Sequence, residues 1–283
     1  PMNITLESIE SRRSVRSFTG RPLSDDQREA LETALEQSGP CPFSSVPRFR
    51  IVESGSHAAM TSGRIGTYGI IGNAPCFIVG AVKSTPYGFV DFGYALEGIA
   101  LWAVGAGLGT CWLGGTFDRS GVAGSMNLSP DEVIPAIMPI GEPAERRTLI
   151  DATMRVLAGS RNRKPWGELF FDNQFDVPLV DAGPWARVLE AVRSGPSASN
   201  KQPWRIVRTG SAGKLAFHLF LHEDRSYNNA IKGIRIQELD IGIAMRHLEA
   251  AALALGLPGK WERLETPPVA YMEPLRYFSS WIM

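Results

Sequence analysis

The sequence predicts an α+β fold in which two similar halves pack around two long central helices. Three observations lead to this prediction: an internal sequence repeat, two long apolar helical patterns, and short apolar or alternating segments typical of strands. A chain of 283 residues can bury a substantial core in such an arrangement. With 44% hydrophobic and 20% charged residues, the composition is that of a globular protein.

The internal repeat organises the chain. The segment that begins Asp91-Phe-Gly-Tyr-Ala95 recurs as Asp240-Ile-Gly-Ile-Ala244, and both continue at the same spacing to a Gly-Leu pair and a tryptophan. Two further matches precede it in the same order: Phe49-Arg-Ile-Val52 with Trp204-Arg-Ile-Val207, and Ser38-Gly-Pro40 with Ser194-Gly-Pro196. We interpret the chain as a duplication, with one half in residues 1–160 and the other in residues 161–283.

Each half is predicted to run helix, loop, strand, strand, long helix, strand. The early helices are expected at Asp25–Gln37 and Pro184–Arg193, with Asp25 or Asp181 as plausible caps. Strands are expected at Cys76–Val82 and Leu215–Leu221, whose residues are apolar or alternate between apolar and polar.

The two long helices are expected at about Asp91–Ala106 and Gln237–Leu255. Both carry apolar residues or glycine on nearly every face, so both should be buried on most sides. The joint between the halves is expected within residues 151–181, where Arg161–Pro165 and Asp172–Asp176 are interpreted as a polar excursion.

Charge and cysteine content exclude several classes of protein. Lys plus Arg equals Asp plus Glu at 29 each, which argues against nucleic acid or an anionic membrane as a partner. Cys41, Cys76 and Cys111 form no CxxC motif and are interpreted as small buried residues in a reducing compartment. No apolar stretch reaches the roughly 18–20 residues that span a bilayer, and no secretory signal pattern is visible, so a cytoplasmic location is expected.

The histidines do not suggest a metal site. His218 and His222 share one face of a predicted strand without a carboxylate cluster nearby, and His247 falls inside the second long helix. We interpret His247 as a core or interface histidine and expect no bound metal.

Residues 11–18 read Ser-Arg-Arg-Ser-Val-Arg-Ser-Phe and precede the first predicted helix of the repeat unit. Arginine presents planar, permanently charged donors that suit a phosphate group, and a serine adds a short hydroxyl donor. A solvated basic surface is the alternative interpretation of this segment taken alone. The segment is therefore a candidate anion site, with Arg12, Arg13, Ser14 and Arg16 as its donors.

Residues 195–204 read Gly-Pro-Ser-Ala-Ser-Asn-Lys-Gln-Pro-Trp and place hydroxyl and amide side chains between two prolines. Such a stiff loop can hold donors and acceptors in place for the edge of a heteroaromatic ring. The alternative is a turn that leads into the strand expected from Arg205.

Residues 105–115 are rich in glycine but do not match a dinucleotide-binding fingerprint. They follow a long helix instead of joining a strand to a helix, and their spacing is not GxGxxG. We expect these glycines to end the helix and to let backbone N–H groups approach a flat ligand.

Together these segments resemble the nitroreductase-like family of FMN-dependent oxidoreductases. The resemblance is carried by residues 11–18, 107–115 and 196–204, and by Ile-Gly-Glu-Pro-Ala-Glu at 140–145. It implies the nitroreductase-like α+β fold, FMN as the cofactor and NAD(P)H as the electron donor. Because the flavin does the hydride chemistry, the resemblance implies no catalytic side chain.

The resemblance also implies roles for individual residues. The FMN phosphate, ribityl chain and the N1/O2 side of the ring would be contacted by Arg12, Arg13, Ser14 and Arg16. The ring or its phosphate end would be lined by Pro196, Ser197, Ala198, Ser199, Asn200 and Gln202. Backbone N–H groups near N5 and O4 would come from Leu113, Gly114 and Gly115. The ring edge would meet Thr67 and Tyr68, and a late basic residue on the phosphate would be Arg161, Arg163 or Lys164.

The chain departs from the family's usual form, which is a homodimer with two equivalent FMN sites between subunits. The first half has Pro40-Cys-Pro-Phe-Ser-Ser-Val-Pro47 in place of the loop, and the second half has Phe171–Pro178 in place of the arginine motif. Each half keeps one complementary piece. The resemblance thus implies a fused pseudo-dimer with one FMN per chain, a degenerate second site, and no need for a second chain.

The function expected from this resemblance is transfer of electrons from NAD(P)H through FMN to a nitroaromatic, quinone or related small acceptor. A flavin-binding protein without turnover and a related flavin reaction such as reductive dehalogenation are the alternatives. A third is that the arginines and the loop are structural and bind no ligand.

Overall fold

The computed structural model describes residues 2–55, 69–115, 117–145, 162–210 and 215–283. Its helices are α1 (Leu6–Ser11), α2 (Asp25–Glu36), α3 (Gly88–Gly105), α4 (Arg119–Met126), α5 (Trp166–Leu169), α6 (Ala186–Ser194), α7 (Arg225–Asn228) and α8 (Ile236–Ala254). Its strands are β1 (Arg48–Glu53), β2 (Cys76–Lys83), β3 (Gly109–Thr110), β4 (Glu132–Val133), β5 (Ile137–Gly141), β6 (Phe170–Asp172), β7 (Gln174–Pro178), β8 (Trp204–Thr209), β9 (Ala216–His222), β10 (Lys260–Glu262) and β11 (Leu275–Ile282). Short 3₁₀ turns lie at Gly183–Trp185 and Ala198–Asn200.

The strands form two sheets. The first has the order β1-β2-β5-β3, with β4 paired to the end of β2, and all its pairs are antiparallel. The second has the order β10-β11-β9-β8-β6-β7 and is antiparallel except for the parallel pair β6–β8. Helices packed with mainly antiparallel sheets confirm the predicted α+β class.

The two long helices, α3 and α8, pack against each other in the core. Nearly all residues of both are buried, as their apolar pattern predicts. One side of α3 packs on β2 and β5, while Val90 and Tyr94 on another side join the apolar residues of α8. The helices approach closely at two glycines, because a Cβ on Gly93 would overlap the backbone of Leu239 and a Cβ on Gly242 would overlap the backbone of Val90.

The order of elements agrees with the one predicted for each half. It is α2, β1, β2, α3, β3 in the first half and α6, β8, β9, α8, β10 in the second. Duplication of one ancestral half would explain this order, and both the duplication and its boundary at residues 160/161 remain proposals.

The cap predicted for the first early helix was wrong. Asp25 is the first helical residue of α2, and its N-cap is Ser24, whose side chain accepts a hydrogen bond from the Gln27 N–H in a capping box. A serine followed three residues later by glutamine satisfies two helix-end donors at once, which an aspartate inside the first turn does not do.

The polar excursion predicted at 172–176 was also wrong, since these residues belong to the β6–β7 hairpin. Aromatic packing explains the strand: the ring of Phe175 lies 5.3 Å from that of Phe171 and 5.0 Å from that of Phe220. The turn residue Asn173 adopts φ +62°, a conformation that asparagine tolerates better than most residues. Alternating aromatic and polar residues therefore indicated a strand, despite the polar composition.

The cysteines and His218, which were not predicted as site residues, are all buried. Cys41, Cys76 and Cys111 are buried, as predicted. His218 is buried between the hydroxyls of Thr209 and Ser280, both 2.7 Å away, and burial lowers its pKa to about 4. Within the described ranges, no helix is long and apolar enough to cross a membrane, and no group of His, Cys, Asp and Glu side chains could hold a metal ion.

Candidate functional site

A cavity of about 610 Å³ lies where the arginine segment meets the loop before β8 and the start of α8. Its volume is in the range of cavities that bind cofactors and small substrates. Its walls come from residues 12–17, 111–115 and 143–144 of the first half and from residues 163, 196–200 and 227–243 of the second. Segments from both predicted halves of the chain therefore meet at this cavity.

Most of the predicted site residues meet at this cavity. It is lined by Arg12, Arg13, Ser14, Arg16, Leu113, Gly114, Gly115, Arg163, Pro196, Ser197, Ala198, Ser199 and Asn200. Two predicted residues, Gln202 and Lys164, do not line it. Three others, Thr67, Tyr68 and Arg161, lie outside the described residues.

The arginine segment is extended and held by backbone hydrogen bonds. The N–H of Val15 donates to Thr110 O at 2.8 Å, and the N–H of Gly72 donates to Arg16 O at 2.8 Å. Val15 packs so closely on β3 that a Cβ at Gly109 would lie 2.8 Å from its side chain. Glycine at this position thus lets the segment approach β3, which fixes where the arginine side chains begin.

Arg12 is anchored by a buried carboxylate. Its side chain is 7% exposed, and its Nε lies 3.7 Å from Oε1 of Glu97 in α3. The same oxygen lies 2.8 Å from Nε2 of His247, and the other oxygen accepts a 2.6 Å hydrogen bond from the indole of Trp112. Glu97 therefore ties two cavity residues, Arg12 and Trp112, to the two central helices.

The loop before β8 has a demanding backbone. Ser199, Asn200 and Gln202 adopt φ values of +45°, +53° and +47°, a region that costs non-glycine residues roughly 1 kcal/mol or more each. The loop is held in this conformation by internal hydrogen bonds, including one from the Gln202 N–H to Oγ of Ser197 at 2.9 Å. Strained backbone of this kind is concentrated at functional sites.

Arg163 reaches the cavity from the segment that precedes α5. Its Nη1 donates to Oδ1 of Asn200 and its Nη2 to the carbonyl of Ser194, both at 2.8 Å. Burial, followed by the nearby charges of Arg12 and Arg193, lowers the pKa of Arg163 to about 10. Two neighbouring cations at a partly desolvated cavity favour an anionic ligand.

Gln202 and Lys164 support the loop instead of lining the cavity. Gln202 is buried, its Oε1 accepts from the Lys164 N–H at 2.8 Å, and its Nε2 donates to the carbonyl of Asn162. The ammonium of Lys164 lies 3.7 Å from a carboxylate oxygen of Glu168. Neither side chain lines the cavity in this structure, and a direct contact of these two residues with a ligand stays an expectation from the sequence.

The glycine-rich segment ends α3, as its pattern predicts. Gly107, with φ +75°, ends α3, and Gly114 and Gly115 line the cavity. A Cβ on Gly114 would lie 3.2 Å from the side chain of Ile236. Bare backbone at this position leaves room between the segment and α8.

Several cavity residues were not predicted as site residues. Ile236, Leu239, Asp240 and Ile243 project from one face of α8, and Tyr227 and Ile231 come from the α7 region. The spacing i, i+3, i+4, i+7 marks a common helix face, but a helix that is apolar all round does not reveal which face meets a cavity. Asp240 is a charged residue inside an otherwise apolar segment of the repeat, and this was a signal that could have marked it as a site residue.

The protein is thus an α+β protein whose cavity combines arginine side chains with an apolar wall. Residues 4–252 match the family model described as "Putative TM nitroreductase". The chain belongs to this nitroreductase family, and the predicted fold is confirmed.

Solved structures of nitroreductases are similar to this chain to different extents. A "putative nitroreductase" from Thermotoga maritima MSB8 matches with 19% identity and a TM-score of 0.57, covering 100% of this chain and 94% of that chain. A nitroreductase with bound FMN from Bacteroides fragilis NCTC 9343 has 23% identity and a TM-score of 0.40, covering 52% of this chain and 92% of its own. An FMN-dependent nitroreductase from Clostridium difficile R20291 has 18% identity and a TM-score of 0.40, covering 50% and 88% respectively. Curated protein sequences provide no match.

Proposed function

We propose that this protein is an FMN-dependent oxidoreductase that passes electrons from NAD(P)H to a small acceptor such as a nitroaromatic or a quinone. The observation that carries the proposal is that the arginine segment, the 196–200 loop and Arg163 line one cavity in a chain of the nitroreductase family. Bound FMN would supply the hydride chemistry, while the residues of the chain bind the flavin, orient it and shape the acceptor space.

The chemistry of the cavity suits a flat ring with an anionic end. Cationic donors come from Arg12, Arg13, Arg16 and Arg163, and an apolar wall comes from Leu113, Ile231, Ile236, Leu239 and Ile243. A phosphate would relieve the repulsion between the partly buried guanidiniums, and the apolar wall would cover the ring. Of the basic residues near 161–164, we propose Arg163 as the phosphate contact, because Lys164 does not line the cavity.

We also propose one flavin per chain. The repeat relates Gly114 to Arg263, and the guanidinium of Arg263 lies 5.1 Å above the ring of Tyr87, to whose hydroxyl its Nε donates at 2.9 Å. Phe43 stacks on Tyr87 with ring centroids 4.4 Å apart, and it belongs to residues 40–47, which in the first half take the place of the 196–204 loop. These contacts place large side chains at positions that correspond, through the repeat, to residues of the cavity, and this supports a single flavin site.

The test of this function is flavin binding followed by anaerobic reduction. Purified protein saturated with FMN should retain about one flavin per chain, and NADH or NADPH should bleach the flavin absorbance at a rate that supports turnover with a nitroaromatic or quinone. Bound FMN that neither pyridine nucleotide reduces would indicate a flavin-binding protein without turnover. A stoichiometry near two would contradict the single site, and failure to bind FMN would contradict the proposal altogether.

Replacing Asn200 by alanine should weaken FMN binding by roughly tenfold to a hundredfold. The change removes the acceptor that holds Nη1 of Arg163, and a hydrogen bond to a charged group contributes about 1.5–3 kcal/mol. The dissociation constant can be measured by quenching of FMN fluorescence on binding.

Asn200→Gly is the matched control, because it also removes the amide but relieves the cost of φ +53°. If the amide matters through Arg163, both variants should lose affinity to a similar extent. Restoration of wild-type affinity by glycine would instead assign the effect of Asn200→Ala to backbone strain.

A further inference from the structure

Asp240 is a buried carboxyl group at the wall of the cavity, in the second turn of α8. It is 2% exposed, and its Oδ1 accepts a hydrogen bond from the Ala198 N–H at 2.9 Å. Its other oxygen, Oδ2, is also buried and has no hydrogen-bond partner among the described residues. Native proteins seldom leave such an atom without a partner, so Oδ2 calls for a ligand atom or another explanation.

The corresponding residue of the repeat shows what a purely structural aspartate does here. Asp91 of α3 holds the loop of the first half with both oxygens: Oδ1 accepts from the Phe43 N–H at 3.0 Å, and Oδ2 accepts from the Ser45 N–H at 2.8 Å. Asp240 holds its own loop with one oxygen only. The difference leaves one carboxyl oxygen available on the helix that lines the cavity.

We propose that Asp240 binds the cofactor directly, as a neutral carboxylic acid whose Oδ2–H donates a hydrogen bond to an acceptor atom of the flavin. This inference rests on the proposed function, because it takes FMN as the occupant of the cavity. The proton stays on Oδ2, and no covalent bond forms or breaks. Asp240 would thus both fix the 196–200 loop through Oδ1 and position the flavin through Oδ2.

The surroundings of Asp240 favour its neutral form. Burial raises the pKa of its carboxyl well above the ordinary range, and the single N–H of Ala198 only partly offsets this. Within the described ranges, Asp240 takes part in no ion pair. The charged and titratable side chains around it include Arg12, whose guanidinium lies against Glu97, together with Arg13, Arg16, Arg163 and Tyr227 of the cavity and Asp91 and Glu97 of α3. With no counter-ion in contact, a proton on Oδ2 is the simplest way to keep the group uncharged.

The experiment compares Asp240→Asn with Asp240→Leu in FMN binding. Asparagine keeps an acceptor for the Ala198 N–H and offers an N–H₂ donor in place of Oδ2–H, so its affinity for FMN should stay within about threefold of wild type. Leucine removes both the donor and the acceptor for the Ala198 N–H, and it should weaken binding by about tenfold or more. Asp91→Asn is the matched control, since it alters the corresponding residue away from the cavity and should leave the FMN affinity unchanged.

An infrared difference spectrum distinguishes direct contact between Asp240 and FMN from a purely structural role of Asp240. Addition of FMN to the wild-type protein should shift the C=O stretch of a protonated carboxylic acid to lower frequency. This shift should persist in Asp91→Asn and be absent in Asp240→Asn. The wild-type affinity should also fall as the pH rises through the pKa of Asp240, whereas that of Asp240→Asn should not.

Two results would overturn the inference. One is a loss of FMN affinity in Asp240→Asn as large as that in Asp240→Leu, which would indicate a charged acceptor. The other is a carboxylic acid band in the wild type that FMN does not shift, which would mean that Asp240 only anchors the loop. This second test uses the wild-type protein, so it remains decisive even if the leucine variant fails to fold. If wild-type protein does not bind FMN at all, the proposed function fails first, so the two failures are distinguishable.

Discussion

Gly242→Ala should destabilise the protein by about 3 kcal/mol or prevent folding, because it adds a methyl group where two central helices touch. A Cβ at this position would overlap Val90 O and lie 2.5 Å from the N of Tyr94, that is, on a backbone hydrogen bond of α3. Backbone cannot move aside as a side chain can, so α3 and α8 would have to separate. Urea unfolding monitored by circular dichroism would measure the loss of stability.

The control for this prediction is Gly105→Ala at the end of α3. A Cβ there would find only Ser8 Cβ, at 3.9 Å, which is an ordinary contact. Alanine favours the helix over glycine by roughly 0.5–1 kcal/mol, so this variant should be no less stable than the wild type. An unfolding midpoint of Gly242→Ala equal to that of the wild type would contradict the close crossing of the two helices.

Glu97→Leu should cost about 3 kcal/mol of stability and weaken FMN binding by about tenfold or more. The variant removes a buried carboxylate that contacts Arg12, Trp112 and His247, and it leaves the Arg12 cation without this partner. Because Arg12 and Trp112 line the cavity, their displacement should reach the bound ligand. Urea unfolding and FMN fluorescence quenching would measure the two effects.

Glu10→Leu is the matched control for Glu97→Leu. Glu10 pairs with Arg187 at 2.7 Å, but both side chains are more than half exposed, so losing this pair should change stability by no more than about 0.5 kcal/mol. A double-mutant cycle between Arg12→Met and Glu97→Leu should show strong coupling. If the two changes instead added independently, Glu97 would not hold Arg12 in place.

The sequence predicted most of the candidate site because its pieces are contiguous motifs. In the arginine segment, the glycine-rich turn and the loop after Ser194, the residues that indicate ligand binding are neighbours in the sequence. The repeat added the reason why they should meet, since each half lacks the piece that the other keeps. The observed cavity contains members of all three segments.

The residues that sequence reasoning missed act through the packing of distant elements. Glu97 lies in a helix that is apolar on nearly every side, and its partners Arg12 and His247 come from separate parts of the chain. Similarly, Gln202 was expected to face a ligand, yet its amide holds the backbone of Asn162 and Lys164. Both kinds of contact depend on how loops and helices are packed, which local patterns do not encode.

By itself, the sequence determined the α+β class, the two buried helices and the cationic and polar segments of the site, because periodicity and motif chemistry are local properties of the chain. Only the tertiary structure showed that, of the two candidate basic residues it describes, Arg163 lines the cavity and Lys164 does not. It also showed that, among the described residues, Oδ2 of Asp240 is buried without a hydrogen-bond partner, whereas both carboxyl oxygens of Asp91 accept hydrogen bonds. The physical reason is that burial and hydrogen-bond partners arise from contacts between residues far apart in sequence, and these exist only once the helices and loops have packed.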